Sequence, residues 1–144
     1  PGEVMDKGIL EKRIQKLIKL GKEKEVKVVI ENVGIGKNIL YNQEEYIELI
    51  KKYNFDSLID IGHAIANNWD LDKVITELKE NIIAYHFHNN DGEKDLHKSI
   101  YDGKADYERI ISLVKENTPE ANIVLEYSAA TPKREILETL EKLS

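Results

Sequence analysis

Apolar positions along the chain recur with two different spacings. In several segments, of which Gly8 to Leu20 is the first, apolar side chains lie three or four residues apart between lysines and glutamates, which is typical of amphipathic helices. Shorter segments between them are rich in valine and isoleucine and have the length of strands. The predicted strands cover about 25–32, 57–62, 81–88 and 121–127, and further helices are predicted within 44–53, 70–80, 107–117 and 132–143.

Helices and strands alternate along the whole chain, which favours an α/β fold with a parallel sheet. The strand segments are almost continuously apolar, as expected for strands that are covered by helices. The steps from strand to strand have the size of a right-handed crossover unit, ~30 residues. No linker or low-complexity stretch interrupts the pattern, so we expect one folding unit over residues 1–144.

Composition and charge narrow the functional classes. The formal net charge is −6 and the basic residues are scattered, which argues against nucleic acid as a partner. No apolar run approaches the roughly 20 residues of a membrane span, and the N-terminus lacks a signal pattern, so we expect a cytoplasmic protein without membrane contact. The chain has no cysteine, which leaves oxygen and imidazole groups as the ligands for any metal.

A side chain that can bind a metal stands at the end of each predicted strand. Because the carboxyl ends of parallel strands lie on one face of the sheet, these four side chains should converge although they are distant in sequence. Three carboxylates and one imidazole suit a divalent cation such as Mn, Mg, Co or Zn. The four residues are Glu31, Asp60, His86 and Glu126.

Strand alternation orients these side chains but leaves one choice open. Successive side chains of a strand point to opposite faces, so Val26, Val28 and Ile30 should pack under helices while Glu31 points away from them. His86 and His88 point the same way, so spacing does not decide which of them is the ligand. A single acidic residue or histidine at a strand end is usually a helix cap or a packed side chain. The recurrence at four strands, together with His63 three residues after Asp60 and the pair Asp95 and His97, favours a site.

Four short motifs resemble one protein family. They are IENVG at 30–34, DIGHA at 60–64, HFHNNDGEKDLH at 86–97 and VLEYS at 124–128. Their residues and order are similar to those of the xylose isomerase-like family, which includes sugar-phosphate isomerases and epimerases, ketose 3-epimerases and zinc-dependent apurinic endonucleases. The match covers essentially the whole chain, and the third motif is its most specific part.

The resemblance implies roles for individual residues. It implies a metal held by Glu31, Asp60, His86 and Glu126, and so favours His86 over His88 as the imidazole ligand. The two glutamates would also act as catalytic acid and base. Substrate contacts are implied for His63 and His88. A candidate second metal site, similar to that of the endonucleases, would use His63, Asp95 and His97.

The resemblance also implies a TIM (β/α)8 barrel, of which this chain would hold the C-terminal half, strands five to eight. Such a barrel has eight strands in about 250 residues, and Pro1-Gly2 resembles the segment after the fourth. We therefore expect a fragment of a longer chain. Two unpaired sheet edges favour association, so we expect a homo-oligomer, with two halves closing a pseudo-barrel, or pairing with a missing N-terminal half.

The function implied is a metal-dependent sugar or sugar-phosphate isomerase or epimerase of carbohydrate metabolism, which moves a proton through an enediolate. An isolated half would be inactive if the missing strands supply part of the pocket. Two alternatives stay open: a metal-dependent phosphodiesterase similar to the apurinic endonucleases, and a non-catalytic structural fragment.

Overall fold

The computed structural model describes residues 6–143 and shows a four-stranded parallel sheet flanked by helices. The strands follow one another in space as they do in sequence, in the order β1-β2-β3-β4. This confirms the predicted α/β class with parallel strands. In chain order the elements are α1 (Lys7–Glu23), β1 (Ile30–Glu31), a 3-10 helix (Gly36–Asn38), α2 (Gln43–Tyr53), β2 (Ser57–Asp60), α3 (Ile61–Ala66), α4 (Leu71–Glu77), β3 (Ile82–Phe87), α5 (Tyr107–Asn117), β4 (Asn122–Leu125) and α6 (Lys133–Leu143).

Short polar side chains begin most of the helices. In each case a carboxylate or amide oxygen accepts a hydrogen bond from a main-chain N–H group of the first turn, which stabilises a helix by about 1 kcal/mol. At the start of α2 the cap is reciprocal, since Glu45 also accepts a hydrogen bond from the main chain of Asn42. The caps of α1, α2, α3, α4 and α5 are Asp6, Asn42, Asp60, Asp70 and Asp106.

The core lies between the sheet and the helices. Tyr85 and Phe87 of β3 are fully buried, and Phe87 packs edge-on against Tyr107 of α5. The hydroxyl group of buried Tyr46 in α2 donates a hydrogen bond to the carbonyl of Ile30 at 2.7 Å and also lies 2.8 Å from Ser57 Oγ. Tyr46 thereby holds β1 against β2, and the core fixes the spacing of the strand ends.

The first strand is much shorter than the predicted 25–32. Its pairing begins at Ile30, which lies opposite Ser57, the first residue of β2. The residues before Ile30 therefore run past the start of the neighbouring strand and have no partner in the sheet. For this reason the prediction that Val26 packs under helices is wrong, since this side chain is 59% exposed.

The second strand ends at Asp60, where the prediction extended it to about residue 62. Ile61–Ala66 form helix α3, which the sequence analysis missed. Asp60 is the last residue of the strand and also the N-cap of the helix, and its side chain accepts a hydrogen bond from the main-chain N–H of His63 at 2.7 Å. The capping carboxylate ends the strand because it stabilises a helical turn directly after itself.

Other differences concern the ends of elements. Helix α1 continues to Glu23, three residues beyond the predicted segment Gly8 to Leu20. Gly21 allows close packing, since a Cβ atom there would lie 2.6 Å from a methyl group of Val28. The segment Pro1-Gly2 lies outside the described residues. Within residues 6–143 no helix is both long and apolar enough to span a membrane.

Candidate metal centre

The ends of the four strands bring three carboxylates around one imidazole ring. Nδ1 of His86 lies 3.3 Å from Glu126 Oε1, 3.7 Å from Glu31 Oε1 and 3.7 Å from Asp60 Oδ2. The register of the sheet explains the convergence, because Asp60 and His86 are directly opposite each other in neighbouring strands. The four residues predicted to share a cation therefore lie in one cluster.

The central atom of this cluster has no hydrogen-bond partner. Nδ1 of His86 is buried, yet no donor or acceptor in the described residues bonds it. Asp60 is fully buried, whereas the side chains of Glu31 and Glu126 are about one-third exposed. An unpartnered imidazole nitrogen facing three carboxylates has the donor set that divalent cations prefer. The residues present thus fit a bound metal.

Asp60 is fixed from several directions. Its main-chain N–H donates to Asn32 Oδ1 at 2.7 Å, and its carbonyl accepts from Asn32 Nδ2 at 3.0 Å. Its carboxylate caps α3 and lies 3.0 and 3.2 Å from Nε2 of His88. Asn32 was not among the predicted site residues, and its only signal in the sequence is its position directly after Glu31.

His88 is more deeply placed than the resemblance implied. Its side chain is fully buried, and a Cβ atom added to Gly62 would lie only 1.9 Å from its Cε1 atom. The hydroxyl of Tyr107 donates to the His88 carbonyl at 2.6 Å. The ring stacks on His97 with 4.2 Å between centroids. A direct contact of His88 with a substrate stays a prediction. In the structure the His88 side chain contacts the Asp60 carboxylate.

A second cluster lies beside the first and is centred on Asp95. This carboxylate lies 3.3 Å from Nε2 of His63 and 3.1 Å from Nε2 of His97. It also lies 3.7 Å from Nε2 of His88. The structure therefore brings together the three residues predicted for a second metal, and the shared neighbour His88 connects the two clusters.

The charges of the site are reflected in shifted pKa values. Burial raises the pKa of Glu31, and the negative charge of Asp60 adds to the rise. Burial also acts to raise the pKa of Asp60, but the hydrogen bond and charge of His88, together with the charge and main-chain N–H of His63, outweigh it, so that this pKa is lowered. The two carboxylates therefore differ in character, because Glu31 takes up a proton more readily and Asp60 stays ionised.

The pKa of His97 is raised, whereas burial alone would lower the pKa of a histidine. Burial of its ring lowers its pKa, whereas the hydrogen bond to the Glu126 carbonyl and the charge of Asp95 raise it, and the net pKa is raised. The Nδ1 atom lies 2.8 Å from that carbonyl oxygen. His97 is also held in the left-handed region, with φ of 48°. The ring is thus locked over the end of β4.

Fold and site together define a class: an α/β protein of parallel β/α units with a carboxylate and histidine cluster at the carboxyl ends of its strands. A family model for the xylose isomerase-like TIM barrel matches residues 5–144. The chain belongs to the xylose isomerase-like TIM barrel family, as the four motifs predicted. No curated protein matches the sequence.

Solved structures of similar fold include two epimerase-type proteins and a dehydratase. A D-tagatose 3-epimerase-like protein superimposes with a TM-score of 0.76 at 22% identity, over 92% of this chain and 51% of its own. The probable 3-DHS dehydratase AsbF of petrobactin synthesis from Bacillus anthracis superimposes with a TM-score of 0.70 at 17% identity, over 91% of this chain and 53% of its own. The apo form of the 3-keto-D-glucoside 4-epimerase YcjR from E. coli superimposes with a TM-score of 0.70 at 10% identity, over 94% of this chain and 52% of its own. The chain spans about half the length of each.

Replacing Gly62 by alanine should disrupt the site, because the new methyl group would overlap the buried ring of His88. Overpacking of this kind costs about 1–3 kcal/mol in the free energy of unfolding. The matched control is Gly36→Ala, since nothing lies within 4 Å of that Cβ position and only its φ of 58° is unfavourable. Urea unfolding of both variants measures the difference. The Gly36→Ala loss measures the strain of a positive φ alone, about 1–2 kcal/mol. No loss of stability in Gly62→Ala would contradict the close packing of Gly62 and His88.

Proposed function

We propose that this chain carries the metal centre of a sugar or sugar-phosphate isomerase or epimerase. The observation that supports this most strongly is the unpartnered Nδ1 of His86, which faces three carboxylates. Glu31, Asp60, His86 and Glu126 would hold Mn, Mg, Co or Zn. When bound, such an ion polarises a ketose carbonyl and stabilises the negative charge that forms beside it.

The two glutamates are suited to proton transfer. Both are accessible, and each has a carboxylate oxygen near His86 Nδ1, so they approach the centre from the first and last strands of the sheet. The raised pKa of Glu31 brings it closer to the range in which a carboxylate takes up and returns a proton efficiently. Glu31 and Glu126 would remove a proton from the carbon next to the carbonyl and return it to the enediolate. Return to the opposite face of the same carbon epimerises the sugar, whereas return to the former carbonyl carbon, with transfer of a hydroxyl proton between the two oxygens, isomerises it.

His63 is the histidine that would bind the substrate. His63 is partly exposed and lies between the two clusters, 3.8 Å from Glu31 and 3.3 Å from Asp95. It is therefore the better placed of the two predicted substrate contacts. His88, being fully buried, would act through the Asp60 carboxylate.

The organisation of residues 1–144 as one folding unit and the cytoplasmic location remain proposals that rest on the sequence alone.

A phosphodiesterase similar to the apurinic endonucleases is the second candidate. The observation that favours it is the cluster of Asp95 with His63 and His97, which could hold a further cation. The net charge of −6 disfavours it, because binding to duplex DNA normally needs a basic surface. The negative net charge therefore favours the sugar isomerase or epimerase over the phosphodiesterase.

Association of the chain is also part of this proposal. Large apolar side chains are about half exposed on α1 at Leu17 and Leu20, and on α6 at Leu137. These helices precede β1 and follow β4 in the sequence, and β1 and β4 are the two edge strands. Exposed apolar side chains together with unpaired sheet edges favour binding to another polypeptide, either a second copy or a further set of strands.

Titration with Mn²⁺ in a calorimeter tests the metal centre. We expect one high-affinity site, weakened by about 100-fold or more in His86→Gln and Asp60→Asn because each removes a ligand. In His88→Gln we expect about a 10-fold loss, the scale typical of a residue that orients a ligand. Glu138→Gln, an exposed carboxylate on α6, is the matched control and should bind as the wild type does.

Two results would contradict this assignment. Absence of Mn²⁺ binding in the folded wild-type protein would contradict the proposed metal centre. A larger loss in His88→Gln than in His86→Gln would transfer the role of imidazole ligand to His88. Circular dichroism of each variant ensures that a loss of binding is not a loss of folding.

Proton exchange in D₂O tests the chemistry. With Mn²⁺ and a panel of ketohexoses and their phosphates, we expect deuterium to enter at the carbon next to the carbonyl, as NMR would detect. Glu31→Gln or Glu126→Gln should slow the exchange about 10²- to 10⁴-fold, the usual contribution of a general acid or base. Metal binding without exchange would favour the non-catalytic alternative, and cleavage of an abasic duplex would favour the phosphodiesterase.

Light scattering coupled to gel filtration tests association. At micromolar concentration we expect a mass well above the 16.6 kDa of one chain. Leu17→Lys should shift the population toward monomer by placing a charge on the exposed apolar flank of α1. Gln15→Lys is the control, since it adds the same charge at an exposed polar position of the same helix. A stable monomer in the wild-type protein would overturn the expectation.

A further inference from the structure

Asn90 is a fully buried polar residue in the loop that follows β3. Its side-chain Nδ2 group donates to the carbonyl of Gly62 at 2.8 Å, and its Oδ1 atom accepts from the N–H of Gly92 at 2.8 Å. Its own carbonyl accepts from the N–H of Lys104 at 2.8 Å, where the loop returns. All these partners are main-chain groups, so the amide fixes the path of the chain.

The two side-chain partners of Asn90 belong to different parts of the candidate site. Gly62 lies in the first turn of α3, directly before His63. Gly92 begins the turn that leads to Asp95 and His97, and it has a φ of 86°. The Asn90 side chain is therefore a bridge between the helix that carries one histidine and the loop that carries the carboxylate and the other histidine.

We propose that Asn90 is a positioning residue that sets the distance between His63 and the Asp95 carboxylate, and with it the geometry of the second cluster. The contact it controls is the 3.3 Å approach of His63 Nε2 to Asp95 Oδ2. The inference rests on the proposed function, since it assigns these residues to the same site. It adds a residue that touches neither metal nor substrate.

The chemistry of the side chain explains why an amide serves here. One end must donate to a carbonyl and the other must accept from an N–H group, and asparagine does both. A carboxylate would keep the acceptor for Gly92 but would face the Gly62 carbonyl with a negative charge and no donor. Because this position is buried, neither the carboxylate nor the Gly62 carbonyl could form a hydrogen bond with water instead. The loop and the helix would therefore move apart.

The remaining contacts of the loop do not replace this bridge. The neighbouring Asn89 is also buried, but its side chain bonds only main-chain groups of the same loop, at Asn90, Ile100 and Ala105. The His97 ring and carbonyl bond the main chain at the end of β4. Among the described residues, Asn90 supplies the side-chain hydrogen bond from this loop to the main chain of α3, beside the His63–Asp95 contact itself.

NMR of the metal-free full chain tests the proposal at fixed pH. In Asn90→Asp, the ring ¹⁵N resonances of His63 and His97 should move toward those of solvated histidine. Asn117→Asp is the matched control, since its amide also donates to a carbonyl, that of Leu113, but on α5.

Unchanged His63 and His97 resonances in a folded Asn90→Asp protein would overturn the proposal. Asn90→Ser, which is smaller and uncharged, takes its place if the aspartate variant does not fold, with the same expected shifts. Because no metal is added, the outcome is independent of the proposed function. Altered ring resonances in a protein that binds no Mn²⁺ would leave Asn90 as a positioning residue and remove only the metal centre.

Discussion

A buried carboxylate at the junction of a strand and a helix is the constraint on which this structure depends. Asp60 has no exposed surface, so its charge must be balanced by hydrogen bonds and cationic groups from the protein or a bound ion. Its main chain bonds Asn32 and its side chain caps α3 and contacts His88. These contacts join the end of β1, the start of α3 and the end of β3. The geometry of both clusters therefore follows from how one aspartate is stabilised.

The sequence predicted the order of the elements because their patterns are local. Helices such as α5 combine an aspartate cap with apolar residues at three-to-four spacing, and strands such as β3 are mostly apolar up to His86. The ends of the strands were harder, because they depend on partners distant in sequence. The first strand begins to pair at Ile30 only because β2 begins at Ser57. Helix α3 was missed because Ile61 extends an apolar run that looks like a strand, and the capping role of Asp60 overrides it.

The convergence of the site could be predicted from topology alone, whereas its internal contacts could not. Parallel strands must place Glu31, Asp60, His86 and Glu126 on one face, and the register brings them together. Which histidine faces which carboxylate depends on the loop after β3, whose path is set by buried side-chain amides and by residues with positive φ. His97 and Gly92 adopt such angles. No periodic pattern encodes them, so the sequence could single out Asp95 and His97 as a pair but could not predict which residues they contact.

The two clusters also differ in what stabilises them without a metal. Around Asp95, each carboxylate oxygen already has an imidazole nitrogen within about hydrogen-bonding distance, so the oxygens of this cluster have partners within the protein. Around His86, three carboxylates face one unpartnered nitrogen, and the raised pKa of Glu31 reflects the burial and repulsion that result. The carboxylate of the Asp95 cluster is therefore satisfied by neighbouring side chains. The His86 cluster concentrates carboxylates instead, and a divalent cation would neutralise their charge.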